Sequence, residues 1–282
     1  MRYLIILMCG FILVITGCSG FGSTEKESLP VEDEIHIEVE KVEEVGEREE
    51  LDNAIDKGVS STEEAIEEVE ETLQPKYKLN PANFLIQPLQ EAVEKKVVLF
   101  TIDDAPDQYG AEMAQILYDL DVNAIFFVNG IFINKGSGKE QLKKIHELGF
   151  EIGNHTISHK NLSKLSAEEQ KREIVELNDQ IEEIIGERPR FFRAPFGVNT
   201  DVSKQVVKEE GMQWMNWTYG YDYFKEYTNR EALVDIMVNA PELIDGANLL
   251  MHDRKWTLEA LEDIVTGLRD KGFKIVDPKE IK

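Results

Sequence analysis

Asp103 and Asp104 stand side by side after the apolar run 97–102, and three more polar pieces follow apolar runs downstream. These are His155 with His159, Arg193 with Pro195, and His252 with Asp253. Carboxylates, imidazoles and a guanidinium at several strand ends are the side chains of a metal hydrolase. Two imidazoles and one carboxylate can hold a divalent metal and leave positions open for water and substrate. The second carboxylate can then act as general base on that water. On a helix, histidines four apart share a face and can grip one ion. Metalloproteases use the same spacing, but with Glu directly after the first His; Thr156 stands there here, so the protease reading lacks its base. Such a donor set accepts zinc, cobalt or nickel, and availability often decides among them. Taken singly, each piece has a plainer reading: Asp-Asp as a turn or cap, the histidines as structural.

The elements that must position these residues are legible in the hydrophobic pattern. Strands are expected at 97–102, 124–128, 151–153, 190–193, 213–217, 248–251 and 274–276. Helices are expected at 109–120, 139–148, 167–185, 201–210, 230–238 and 257–271. Ser166 with Glu169 three residues on is a helix start, and Gly149 and Gly272 sit where helices end. Strand–helix alternation argues for parallel βαβ units. The expected fold is therefore α/β, a distorted, incomplete (β/α) barrel of about seven parallel strands, whose catalytic residues belong at the C-terminal strand ends. No Gly-x-Gly-x-x-Gly or Walker loop supports nucleotide binding.

Together the motifs resemble the polysaccharide deacetylase family, the NodB-homology or carbohydrate esterase family four domain, over roughly residues 95–280. Thr101-Ile102-Asp103-Asp104-Ala105-Pro106 is similar to its first motif, usually Thr-Phe-Asp-Asp-Gly-Pro. His155 to His159 resembles the second motif, Arg193-Ala194-Pro195-Phe196-Gly197 the third, and Leu250-Met251-His252 the fifth. The fourth, usually Asp-x-x-Asp-Trp, is the most altered: Gly220 stands near the place of its first Asp, and Tyr223 replaces the Trp. Ile102 and Ala105 are further departures. The resemblance implies Asp103 as general base and His252 as general acid. It implies Asp104, His155 and His159 as ligands of a divalent metal, usually zinc, and Arg193 as the partner that orients Asp103. Leu250 would line the pocket for the acetyl methyl, and the Phe196 N–H would help hold the oxyanion. Asp222 is the candidate carboxylate supporting Arg193 or His252. Pro195, Phe196 and Trp217 are candidate substrate contacts, and Trp214, Tyr219, Tyr221, Tyr223 and Trp256 are further aromatics for sugar rings.

The rest of the chain sets the setting. Residues 4–16 are almost unbroken apolar after Arg2, too short to span a bilayer comfortably, and end at Gly17-Cys18. This resembles a bacterial lipoprotein signal, with 1–17 removed and Cys18 lipidated. An uncleaved anchor or a plain secretory signal is the alternative, and either still places the domain outside the cytoplasm. Residues 18–75 are dense in Glu and poor in aromatics, a composition expected to form a disordered tether. Of the formal net charge of -24, -16 falls in residues 23–75; with +1 from Arg2, -9 is left for residues 76–282, the expected deacetylase domain. An acidic domain offers no nucleic-acid surface. Cys9 and Cys18 are the only cysteines, so no thiolate metal site or disulfide framework is available downstream. No obligate protein partner is evident. The expected activity is removal of N-acetyl groups from an extracellular polysaccharide, peptidoglycan or another N-acetylglucosamine polymer, by a lipid-anchored enzyme. Two alternatives stay open: a non-catalytic glycan-binding lipoprotein, and an esterase acting on O-acetylated polysaccharide.

Overall fold

The computed structural model describes residues 74–282, so the signal segment, Cys18 and nearly all of the acidic stretch lie outside the described residues. Two short strands, β1 (Tyr77–Leu79) and β2 (Ile86–Pro88), pair antiparallel. Strands then alternate with helices: β3 (Val97–Ala105), α1 (Gly110–Asp119), β4 (Ile125–Val128), α2 (Gly130–Ile133), α3 (Gly138–Glu147), β5 (Glu151–Asn154) and α4 (Ala167–Ile185). The second half runs β6 (Phe191–Phe192), α5 (Asp201–Glu209), β7 (Gln213–Trp214), α6 (Arg230–Asn239), β8 (Ala247–His252), α7 (Lys255–Asp270) and β9 (Lys274–Ile275).

From β3 onward every strand pair is parallel, in the order β7-β6-β5-β4-β3-β8, with β9 on the N-terminal end of β3. The sheet curls. Past β7 the chain crosses to the far edge, where Tyr219 bridges Leu249 of β8 and the Thr218 N–H donates to the Asn248 carbonyl. This is the expected α/β barrel, distorted and incomplete, of seven parallel strands.

Period-two alternation divides its core. Val97 and Leu99 of β3 pack with Ile125, Phe127 and Phe191 inside the barrel. Val98, Phe100 and Ile102 face the opposite way, with Phe126, Val128 and the helices. Tyr77, Leu79, Ile86, Val276 and Ile281 join the inner cluster, so the β1–β2 hairpin and the chain end form the floor of the barrel. Tyr77 bridges Ile281, and the Lys282 N–H donates to the Tyr77 carbonyl. Strand β6 is only two residues long, yet Phe191 and Phe192 are both buried. Each such side chain contributes about 1.5–3 kcal/mol, against about 0.5–1.5 kcal/mol net for a backbone hydrogen bond, so packing rather than the ladder holds it in place.

The six expected helices fall within two residues of their expected ends, the short α2 was not expected, and the Ser166–Glu169 capping box is formed. Gly149 and Gly272 adopt left-handed backbone (φ 91 and 81) directly after their helices. Strands differ more. β3 runs on to Ala105 instead of ending at residue 102, and β7 ends at Trp214 instead of residue 217 because the chain there leaves β6 for β8. The β1–β2 hairpin was not foreseen.

Candidate active site

The inner-facing residues of the strands culminate in the polar groups at the barrel mouth. Asp103 of β3 and His252 of β8 are direct register partners, so their Cα atoms stand about 4.8 Å apart on neighbouring parallel strands. Two residues below, Thr101 pairs with Leu250 in the same register. Arg193, after β6, is fully buried in the barrel. One guanidinium nitrogen donates to Asp103 Oδ1 at 2.6 Å and to Thr101 Oγ1 at 2.8 Å, and the other donates to the Asn216 carbonyl at 3.1 Å. The guanidinium lies 4.3 Å from the Phe127 ring centre. Complete burial pulls Arg193 below its usual range, opposed by the charge and hydrogen bond of Asp103.

Both adjacent aspartates reach one cavity because the strand breaks its alternation. The β3–β4 register slips between Asp103 and Ala105, and Asp104 has φ 62. Asp103-Asp104 therefore lie within the last turn of the β3 ladder and not beyond it, a correction to the sequence expectation. His155 and His159 share no helix, in keeping with the lack of an expected helix over 155–159. They lie in the loop after β5, where Thr156 (φ 69) and His159 (φ 52) take left-handed backbone that brings both rings to one side. Asn154 Oδ1 accepts from the Thr156 N–H, and Glu173 of α4 accepts from the Ser158 N–H at 2.8 Å and from its hydroxyl.

His155 Nδ1 lies 2.7 Å from the Arg193 carbonyl. A carbonyl only accepts, so Nδ1 carries a proton and Nε2 is the ring nitrogen turned to the mouth. His155 Nε2 is 4.0 Å and His159 Nε2 3.5 Å from Asp104 Oδ1, and the donor atoms of Asp104, His155 and His159 all lie within 4.8 Å of one another. Burial works against the Asp104 carboxylate, but His155, His252, His159 and Arg254 together hold it below its usual value. Burial, aided by His155, lowers His159 and favours its neutral form. An ionised carboxylate and neutral imidazoles are the ligand forms a divalent transition metal requires, so the donor set fits such an ion.

Across the mouth, Asp222 is fully buried, pairs with His252 and forms no hydrogen bond or ion pair with Arg193. Its Oδ1 is 2.7 Å from His252 Nδ1, and its Oδ2 accepts from the His252 N–H at 2.6 Å and from Thr257 Oγ1 at 2.8 Å. Trp256 Nε1 donates to the Asp222 carbonyl at 2.7 Å. Burial opposes the imidazolium, yet Asp222, helped by Asp103 and Asp104, raises His252 above its usual value. Gly220 is packed so closely that a Cβ would meet the Leu250 carbonyl oxygen at 2.4 Å.

The cavity holds about 410 Å³ and is lined by Asp103, Asp104, His155, His159, Phe196, Trp217, Asp222, Tyr223, Leu250, His252 and Arg254. Phe196 (φ 59) sits in the 3-10 turn Pro195–Gly197, is exposed, and packs edge-on against His159 at 5.0 Å. Pro195 is buried at the start of that turn and does not reach the lining. Tyr223 is exposed and meets the His252 ring edge-on at 5.6 Å. Other aromatics lie elsewhere. Tyr219 is core, its hydroxyl donating to the Met237 carbonyl and its phenol pushed up by burial. Trp214 packs on Phe84 away from the mouth, and Tyr221 clusters with Phe224 and Tyr227. Thr101, Asn216, Glu173 and Arg254 were missed. Arg254 adjoins the His252-Asp253 pair and was within reach, but nothing local ties Glu173 to a loop 15 residues away.

One mouth of a curled parallel barrel thus carries an Asp/His/His donor set, an Asp–Arg pair and a His–Asp pair. The polysaccharide deacetylase family is matched over residues 90–215, a stretch that ends before Asp222 and His252. The chain is 31% identical over 208 residues to the uncharacterized protein YlxY of Bacillus subtilis, covering 73% of this chain and 60% of that one. It is 31% identical over 202 residues to the peptidoglycan-N-acetylmuramic acid deacetylase PdaC of the same organism, covering 69% and 41%. The chain thus spans less than two thirds of the length of either relative. A crystal structure of a carbohydrate esterase family four pseudoenzyme, a mutant with restored enzymatic activity whose wild type is from Bacillus anthracis, superposes with a TM-score of 0.58 at 30% identity, covering 66% of this chain and 67% of that one. The chain belongs to the polysaccharide deacetylase family, carbohydrate esterase family four.

Proposed function

We propose that this protein is a metal-dependent deacetylase that removes N-acetyl groups from an extracellular polysaccharide, peptidoglycan or another N-acetylglucosamine polymer. The observation that carries the reading is the pairing of Asp103 with His252 on adjacent strands, each held by its own buried partner, beside the Asp104–His155–His159 donor set. A divalent metal in that set, zinc by our reading, supplies Lewis-acid polarisation of the amide carbonyl and makes water a stronger acid. Asp103, steered by Arg193, takes the proton of the attacking water as the C–O bond forms. His252 begins protonated, its Nδ1–H on Asp222, and gives its Nε2 proton to the departing nitrogen as the C–N bond breaks. Acetate and a free amine result. Leu250 borders the space for the acetyl methyl, and the Phe196 N–H is the candidate oxyanion donor. Phe196, Trp217 and Tyr223 form an aromatic rim suited to sugar rings.

A relative that is a pseudoenzyme makes activity the point to test, and here the base, the acid and the three ligand positions are all occupied by groups able to act. We further propose that the chain is anchored through Cys18 on the extracellular face of the membrane, on the strength of its N-terminal sequence. The deciding experiment loads the full chain with zinc or cobalt and measures acetate release from chitooligosaccharides, peptidoglycan and an O-acetylated xylan, beside Asp103→Asn. Metal-dependent release from the N-acetylated polymers, lost in the variant, is the expected result. Release from the xylan alone favours the esterase reading. Tight glycan and metal binding with no release favours the non-catalytic one.

A further inference from the structure

Arg254 lines the cavity, yet neither the acid–base pairs nor the donor set uses it. It is the residue preceding α7, and its backbone is locked. The Asp253 carboxylate beside it is buried and accepts the N–H groups of Asp107, Gln108, Tyr109 and Gly110, and the Asp253 N–H donates to the Asp103 carbonyl. One guanidinium nitrogen of Arg254 donates to the Asp253 carbonyl at 2.9 Å, folding the side chain back towards the mouth. The other donates to Asp104 Oδ2, also at 2.9 Å. The two oxygens of Asp104 are thus divided: Oδ1 faces His155 and His159, and Oδ2 is held by the guanidinium.

We propose that Arg254 is a positioning residue that confines Asp104 to a one-oxygen ligand and lowers the charge it offers the metal. The proposal rests on the metal-site reading above. A carboxylate free at both oxygens can chelate an ion, closing a position that water and substrate need. The hydrogen-bonded guanidinium occupies the second oxygen, and its positive charge opposes a dication nearby. A positive charge held beside a dication weakens the binding of that ion, the more so where burial lowers the local dielectric. Arg254 therefore keeps the ion more weakly bound and less crowded than its three ligands alone would.

The test is Arg254→Met in the full chain, titrated with zinc against a chromophoric chelator and with cobalt followed by its visible absorption. Removal of the like charge makes zinc bind tighter, on the order of 10-fold, and weakens the cobalt band, because added coordination lowers its intensity. Arg254→Lys, which keeps the cation, stays close to wild type in both. A role limited to supporting the fold predicts the opposite sign, since a loosened Asp104 binds metal more weakly. Unchanged or weaker zinc binding with an unaltered cobalt band overturns the proposal while leaving the deacetylase reading intact. A wild-type chain that binds neither metal overturns both. Arg254 is part-exposed at the rim, so the variants should fold; if Arg254→Met does not, Arg254→Gln carries the same two readouts.

Discussion

Asp222 sets both the orientation and the charge of His252. With Nδ1–H on Asp222 Oδ1, the other ring nitrogen is the one available to the mouth, and the carboxylate's charge favours the protonated ring. His252→Ala should abolish acetate release while cobalt absorption shows the metal still bound; normal turnover would remove His252 from the acid role. Because His252 acts protonated and its value is raised, kcat/KM should fall as pH climbs through that value. Asp222→Asn removes the main raising influence, so the alkaline limb should move to lower pH in a pH–rate profile. A limb that stays put would assign it to another group. The sequence identified Asp222 as a support but left its partner open between Arg193 and His252. Only the meeting of the loop after β7 with β8 decides this, because the two segments are 30 residues apart and a bare Gly-Tyr-Asp-Tyr run does not reveal which strand it meets.

At the level of elements, the site depends on close approach between strands. Gly153 of β5 faces the barrel, where a Cβ would lie 2.4 Å from the Phe127 ring, and that ring lies against the Arg193 guanidinium. Gly153→Ala should destabilise the fold by about 1–3 kcal/mol in chemical denaturation. It should also lower kcat by displacing Arg193 from Asp103. Wild-type stability would mean that Phe127 has room to shift. The longer helices were legible because each carries several turns of amphipathic repeat, with Ser166 and the terminal glycines marking their ends, whereas the four-residue α2 is too short to show one. The strands were legible as apolar runs but not in their limits: β6 and β7 are two residues each, and β3 continues into charged residues that hydrophobicity reads as loop. The β1–β2 hairpin has three-residue strands, below the length at which alternation registers. The left-handed residues at Asp104, Thr156, His159 and Phe196 were equally invisible, since none is glycine and each is held by tertiary contacts.

At the scale of the molecule, the net charge of -9 on residues 76–282 bears on which polymers approach easily. Like charges repel over about 8–10 Å at moderate ionic strength and are screened by added salt. For substrates bearing free carboxylates, such as peptidoglycan fragments with peptide stems, kcat/KM should rise with salt at low ionic strength. Neutral chitooligosaccharides should show little change. Equal salt dependence for both would show that the local cations, Arg254 and the metal, outweigh the overall field. Closure of the barrel through residues 215–219 also ties the Arg193 and His252 sides together, since the Asn216 carbonyl accepts from Arg193 and from Asn248 of β8.

Both ends of the described chain enter at the floor of the barrel, with Tyr77 against Ile281 and Lys76 against Glu280, while the cavity opens at the opposite strand ends. The two ends of the described chain are thus fastened to one another on the face away from the cavity, with the barrel core between that seam and the mouth.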